Sequence, residues 1–175
     1  MGLKYNRKFS RQDLRVRSFV RVKHNSFAEN CFRAQGTWGA HMAATQFKIK
    51  VDGFWREQNK SALPDKPGIY CVYAGTLDEE TISRLIYVGA AENVNEKLAK
   101  AEKLSQWESY LSSGEQLCYT FGAVDRKFAE RCAAAIVFIH KPPANTDHVD
   151  QFQFEQTLIT LSGLTPHLKT TFLIA

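Results

Sequence analysis

No stretch of this 175-residue chain approaches the roughly 18–20 consecutive apolar residues that span a bilayer, and the opening MGLKYNRKFSRQDL lacks the apolar core of a secretory signal. Both absences point away from membrane insertion and export. Cysteine is sparse: Cys31, Cys71, Cys118 and Cys132 stand apart without a CxxC pair, which removes the zinc-knuckle and dithiol-redox motifs. Free thiols in a cytoplasmic protein are the expectation. His24, His41, His148 and His167 show no metal-ligand spacing, and structural or surface roles are favoured for them, as for His140 beside Pro142.

Acids are scarce at the start of the chain. Residues 1–33 hold nine Lys or Arg against only Asp13 and Glu29, a charge of +7, whereas the remaining residues sum to −2. The overall +5 therefore belongs to a basic leader, which suits a polyanionic partner or an ordinary solvated arm or subunit contact. Phe9, Phe19, Phe27 and Phe32 punctuate it, and packing is favoured over base stacking because no nucleic-acid module is recognisable there. The length and 44% hydrophobic content suit one folded domain. Residues 1–45 read as a basic extension and linker, with a GAHM at 39–42 that resembles a cloning scar. Residues 46–175 read as the domain with its C-terminal strand extension.

Within that domain TQFKIKVDGFW alternates, placing Phe47, Ile49 and Val51 on one face of a strand. GIYCVYAG and RLIYVG predict two further strands, the second ending at Gly89. A stripe of Val94, Leu98, Ala101, Leu104 and Trp107 or Leu111 predicts one helix. QLCYTFGAV predicts a strand, RKFAERCAAAIVFIHK a helix closed by Pro142 and Pro143, and the tail adds strands around 152–159 and 170–174. The sum is an α/β, more narrowly α+β, fold.

Three ordered features resemble the GIY-YIG nuclease family: Gly68-Ile69-Tyr70, then Tyr87-Val88-Gly89 followed by AAENVNEKL, then PPAN at 142–145. The resemblance covers roughly residues 66–145. It implies a small antiparallel sheet flanked by helices, and phosphodiester hydrolysis assisted by Mg2+ or Mn2+. Carried over by position, the two site tyrosines are Tyr70 and Tyr87 and the closing asparagine is Asn145. The family's arginine falls on Lys97, its next polar residue on Ala101, and its metal-ligating glutamate on Ala133.

These departures have chemical content. Lys97 supplies positive charge without the rigid guanidinium fork, and Ala133 supplies no oxygen to a metal. Glu130, three residues earlier, is the nearest replacement, with a surface acid beside Lys127 and Arg131 as the competing reading. Tyr70 and Tyr87 organise water and phosphate or pack as sheet aromatics, Lys97 contacts phosphate or is solvated beside Lys100 and Lys103, and Asn145 orients the site or closes an Asx turn. The resemblance implies a nucleic-acid-acting protein, with DNA favoured over RNA, and a metal-dependent endonuclease if the altered positions still support hydrolysis. The alternatives are an inactive nucleic-acid-binding module, or a protein-interaction or assembly domain with a protein partner or a second copy of itself.

Overall fold

The structure is a computed structural model that describes residues 44–76, 81–100 and 102–175. The basic leader, its aromatic residues, the GAHM segment, Cys31 and Ala101 lie outside the described residues. Six strands, β1 (Thr45–Arg56), β2 (Gly68–Thr76), β3 (Ile82–Ala91), β4 (Glu115–Ala123), β5 (Thr157–Gly163) and β6 (Thr171–Ile174), form one sheet in the order β3-β2-β4-β1-β5-β6. The helices are α1 (Val94–Ala99), α2 (Leu104–Glu108) and α3 (Arg126–His140), with a 3-10 helix over Glu57–Ala62. The α+β class expected from the sequence is present. The sheet is larger than the small antiparallel sheet expected, and it is mixed, because β1 pairs with β5 in parallel.

The interior strand β2 explains its own sequence. β2 is hydrogen-bonded on both sides, to β3 and β4, and covered on both faces, so eight consecutive residues of GIYCVYAG are buried. Ile69, Cys71 and Tyr73 join a core with Cys132, Ala133 and Ile136 of α3. Tyr70, Val72 and Ala74 join a second core with Val94 and Leu98 of α1, Trp107 of α2 and Leu63. Three cysteines, Cys71, Cys118 and Cys132, are free and buried, and burial pushes the Cys71 and Cys132 thiols up to about 11 and about 12. Among the described residues no helix is long and apolar enough to cross a membrane.

The elements correct three sequence readings. β3 does not stop at Gly89 but runs on to Ala91. The single helix expected over 94–111 is two short ones, because Val94 and Leu98 on one and Trp107 on the other enter the same core with a turn between them. In the tail, pairing begins only at Thr157: Phe152 and Phe154 pack as tilted rings with centroids 5.5 Å apart, and Phe152 packs near Phe138 of α3 at 6.2 Å instead of joining a ladder. α3 has the expected bounds, with Asp125 Oδ1 accepting from the Lys127 N–H at 3.1 Å and Lys141 closing it at φ 48. Arg131 ties α3 to the start of β5, donating to Thr157 Oγ1 at 2.9 Å and to the carbonyls of Glu155 and Gln156.

Candidate functional site

Both motif tyrosines face the α1/α2 side of the sheet. Tyr70 does so by strand alternation, and Tyr87 is aimed there by a bulge. Val72 pairs with Tyr87 while Tyr73 pairs with Leu85, so Ile86 is the extra residue, and Ile86 and Tyr87 both pack into the second core. The ring centroids of Tyr70 and Tyr87 lie 6.0 Å apart. Gly89 pairs with Tyr70 across the ladder. A Cβ on Gly89 would fall 2.6 Å from both Cζ and Oη of Tyr70 and 2.8 Å from Cε1 of Tyr87, so this glycine is the space that two rings occupy. Gly68 has a similar cause: a Cβ there would lie 2.2 Å from the carbonyl oxygen of Gly122 on β4. The glycines of both motifs are demanded by packing.

Around Tyr87 the aromatic cluster continues. Trp107 lies 5.3 Å from it, and the Lys103 ammonium sits 5.0 Å from its ring centroid. Tyr70 and Trp107 are 3% and 2% exposed, Tyr87 is half-buried, and Lys97, Lys100 and Lys103 are exposed. These six residues, with Ala90 and Glu102, line a cavity of about 170 Å3. Lys100 is committed to Glu96 at 2.5 Å, whereas Lys97 makes no ion pair among the described residues. Burial, and then the neighbouring Tyr87, push the Tyr70 hydroxyl far above the ordinary phenol range. Tyr70 is therefore a donor that stays protonated, and it is unsuited to take a proton as a phenolate. The Trp107 indole N–H is buried without a partner among the described residues.

Glu130 and Asn145 lie elsewhere. They line a second cavity, of about 720 Å3, between β3 and α3, with Tyr87 shared between the two. Ala129, Ala133, Ala134 and Val137 form its apolar wall, so the position that the resemblance assigns to a glutamate does face the cavity but carries a methyl. Asn145 has a structural occupation. Its Nδ2 donates to the Val88 carbonyl and its Oδ1 accepts from the Val88 N–H, both at 2.9 Å, while the Ala144 N–H donates to Ile86 O at 3.1 Å. β3 is an edge strand, and the PPAN segment closes part of that edge with a carboxamide in place of a neighbouring strand. Both ends of the Asn145 amide are used.

The two cavities differ in charge. On the wall of the larger one, Arg126 is bound to Glu92 and the Lys127 ammonium lies 4.7 Å from the Phe128 ring centroid. Asp125 caps α3. Glu130 and Asp147 are left exposed, without hydrogen bond or ion pair among the described residues, and both also line an adjoining cavity of about 440 Å3. Mg2+ is typically held by one or two carboxylates, with water and substrate phosphates completing its shell. Glu130 and Asp147 are the pair that would serve, although among the described residues no group of three or more His, Cys, Asp or Glu is disposed to hold a metal ion. Phosphate is favoured by the lysine-lined cavity and opposed by the carboxylate-lined one.

Motif spacing groups Tyr70, Tyr87, Lys97, Glu130 and Asn145 as one site. The structure brings the first three to one cavity and the last two to the other. In the sequence Trp107 reads only as a core stripe residue, and Asp147 and His148 carry no motif at all. Its place in a single helical stripe is the only signal Trp107 gives, because its contact with Tyr87 depends on the turn between α1 and α2. Comparison of the chain with protein-family models, with curated proteins and with solved structures gives no match.

Proposed function

We propose that this chain is a divergent GIY-YIG-like module that binds nucleic acid through the lysine-rimmed tyrosine cavity, and that binding rather than cleavage is its principal work. The observation that carries the reading is the separation of charge. Lys97, without an ion pair among the described residues, and the ring-bound Lys103 flank Tyr70, Tyr87 and Trp107, while Glu130 and Asp147, likewise without partners among the described residues, line the other cavity. Lysine beside aromatic rings is the combination that holds backbone phosphates and base faces. The order β3-β2-β4, antiparallel throughout, with α1 and α2 packed on one face and α3 on the other, supports the GIY-YIG resemblance at the level of architecture. Binding of labelled DNA and RNA across a salt series tests it. Affinity should fall with salt, and Lys97→Gln with Lys103→Gln should flatten the slope by about one unit for each phosphate that is no longer neutralised. No binding to either polymer at low salt would refute the reading.

A second reading, metal-dependent phosphodiester hydrolysis, is favoured by one observation: Tyr87, Glu130, Asp147 and Asn145 share the walls of the larger cavity. Mg2+ or Mn2+ would supply charge stabilisation for the phosphoryl oxygens and an activated water. In that reading Glu130 and Asp147 would hold the ion, Lys97 would draw the backbone from across Tyr87, and Tyr87 would orient a phosphate or water by its hydroxyl. Plasmid nicking in Mg2+ or Mn2+ that disappears in Glu130→Ala would establish it. Intact plasmid under conditions where DNA is bound would leave the binding function alone.

A further inference from the structure

The smaller cavity has a size and lining that choose among nucleic acids. Its volume is about 170 Å3, below the roughly 300–1,000 Å3 of pockets that enclose a drug-sized ligand, so it admits one planar ring system and not a base pair. Its aromatic lining is Tyr87 with two tilted neighbours, Tyr70 at 6.0 Å and Trp107 at 5.3 Å. Rings recognise base faces, and base faces are hidden inside a duplex, which offers only base edges in its grooves. Tyr87 is half-buried, and the Lys103 ammonium lies over its ring, 5.0 Å from the centroid. Lys103 is exposed on a long stem and is free to swing from the ring to a phosphate. Glu102 also borders the cavity and repels phosphate, but Lys97 stands on the same rim without a carboxylate partner among the described residues.

We infer that this cavity selects single-stranded nucleic acid by admitting one unpaired base against Tyr87, with Lys103 moving off the ring onto the adjoining phosphate. The inference rests on the proposed nucleic-acid binding and adds what that reading leaves open, the strandedness of the ligand. It also makes the cation–ring contact of the free protein a placeholder for the stacked base.

Four ligands of equal length separate the possibilities by fluorescence anisotropy with the full chain: oligodeoxythymidine, a DNA duplex, an abasic single strand, and the RNA counterpart of the first. The expected result is that both base-bearing single strands bind at least tenfold tighter than the duplex and the abasic strand. Tyr87→Ala should cost the single strand about tenfold to a hundredfold and leave the abasic strand nearly unchanged. Should Tyr87→Ala unfold, the surface variant Lys103→Gln carries the test, since it should weaken the single strand and the abasic strand alike by removing a phosphate contact. A duplex or abasic strand binding as tightly as oligodeoxythymidine overturns the inference and leaves nucleic-acid binding standing. Failure of all four to bind overturns both.

Discussion

Gly89→Ala is the substitution whose consequence is most fully determined by the geometry. The added methyl carbon would meet Tyr70 Cζ and Oη at 2.6 Å and Tyr87 Cε1 at 2.8 Å, well inside contact distance. Neither ring has an easy escape. Tyr70 is 3% exposed on an interior strand, and Tyr87 packs against both Tyr70 and Trp107. Overpacking of this kind costs about 1–3 kcal/mol, and about 2 kcal/mol moves a urea midpoint by roughly 1 M. The informative control is Gly114→Ala, where φ is +83 but nothing lies within 4 Å of the new methyl. Its cost is purely conformational, about 1–2 kcal/mol. The two variants should therefore lose comparable stability in urea titrations, but only Gly89→Ala should change the near-ultraviolet circular dichroism of the tyrosine–tryptophan cluster. A Gly89→Ala protein with wild-type midpoint and wild-type aromatic spectrum would refute the packing account of the motif glycine.

Three further outcomes follow from the described contacts. Asn145→Ala removes two hydrogen bonds to Val88 and leaves the backbone of that residue unpaired on the edge, so stability should fall by about 1–3 kcal/mol by urea titration and self-association should rise by light scattering. His140 sits with Nδ1 against Ile136 O at 2.9 Å and Nε2 accepting from the Lys169 N–H at 2.7 Å, a neutral tautomer, and burial lowers its pKa. The unfolded chain then binds the proton more readily, so its contribution is present above about pH 6.5 and is lost as pH falls from there toward the lower folded value, a slope that His140→Gln should flatten in pH-dependent melting. Glu115 accepts from Ser83 Oγ, the Ser112 N–H and Arg84, which hold its carboxyl down to about 2; its stabilisation is complete above the ordinary carboxylate range and fades only as pH drops toward 2, and Glu115→Ala should cost about 2 kcal/mol at neutral pH.

Much of the fold is legible where a short window carries its own signal. The alternation of Phe47, Ile49 and Val51 marks β1, and Pro142 with Pro143 marks the end of α3. What escapes is long-range. Parallel pairing of β1 with β5 joins Thr45 to Thr157, and nothing near either residue announces it. The break between α1 and α2 carries no Gly or Pro, and it follows from where Leu98 and Trp107 must enter the core. At the site, the residue types at Tyr70, Tyr87 and Lys97 are legible, but the division into two cavities is not. It depends on the bulge at Ile86 and on Asn145 reaching Val88, 57 residues away. Linear motif spacing places residues on a strand or helix, and it is silent on which face of an edge strand a bulge will present.

Polyanion binding is proposed at the lysine-rimmed tyrosine cavity. Titration of 15N-labelled protein with oligodeoxythymidine, followed by amide and indole shifts, is the sharpest test, because the Trp107 indole N–H, without a partner among the described residues, lies beside Tyr87 and reports on that cavity. Binding there should give saturable shifts of the Trp107 indole and of the Tyr87, Lys97 and Lys103 amides, with Glu130 and Asp147 unmoved. Shifts confined to Glu130, Asp147 and the α3 side, or none at concentrations that saturate binding, would contradict it.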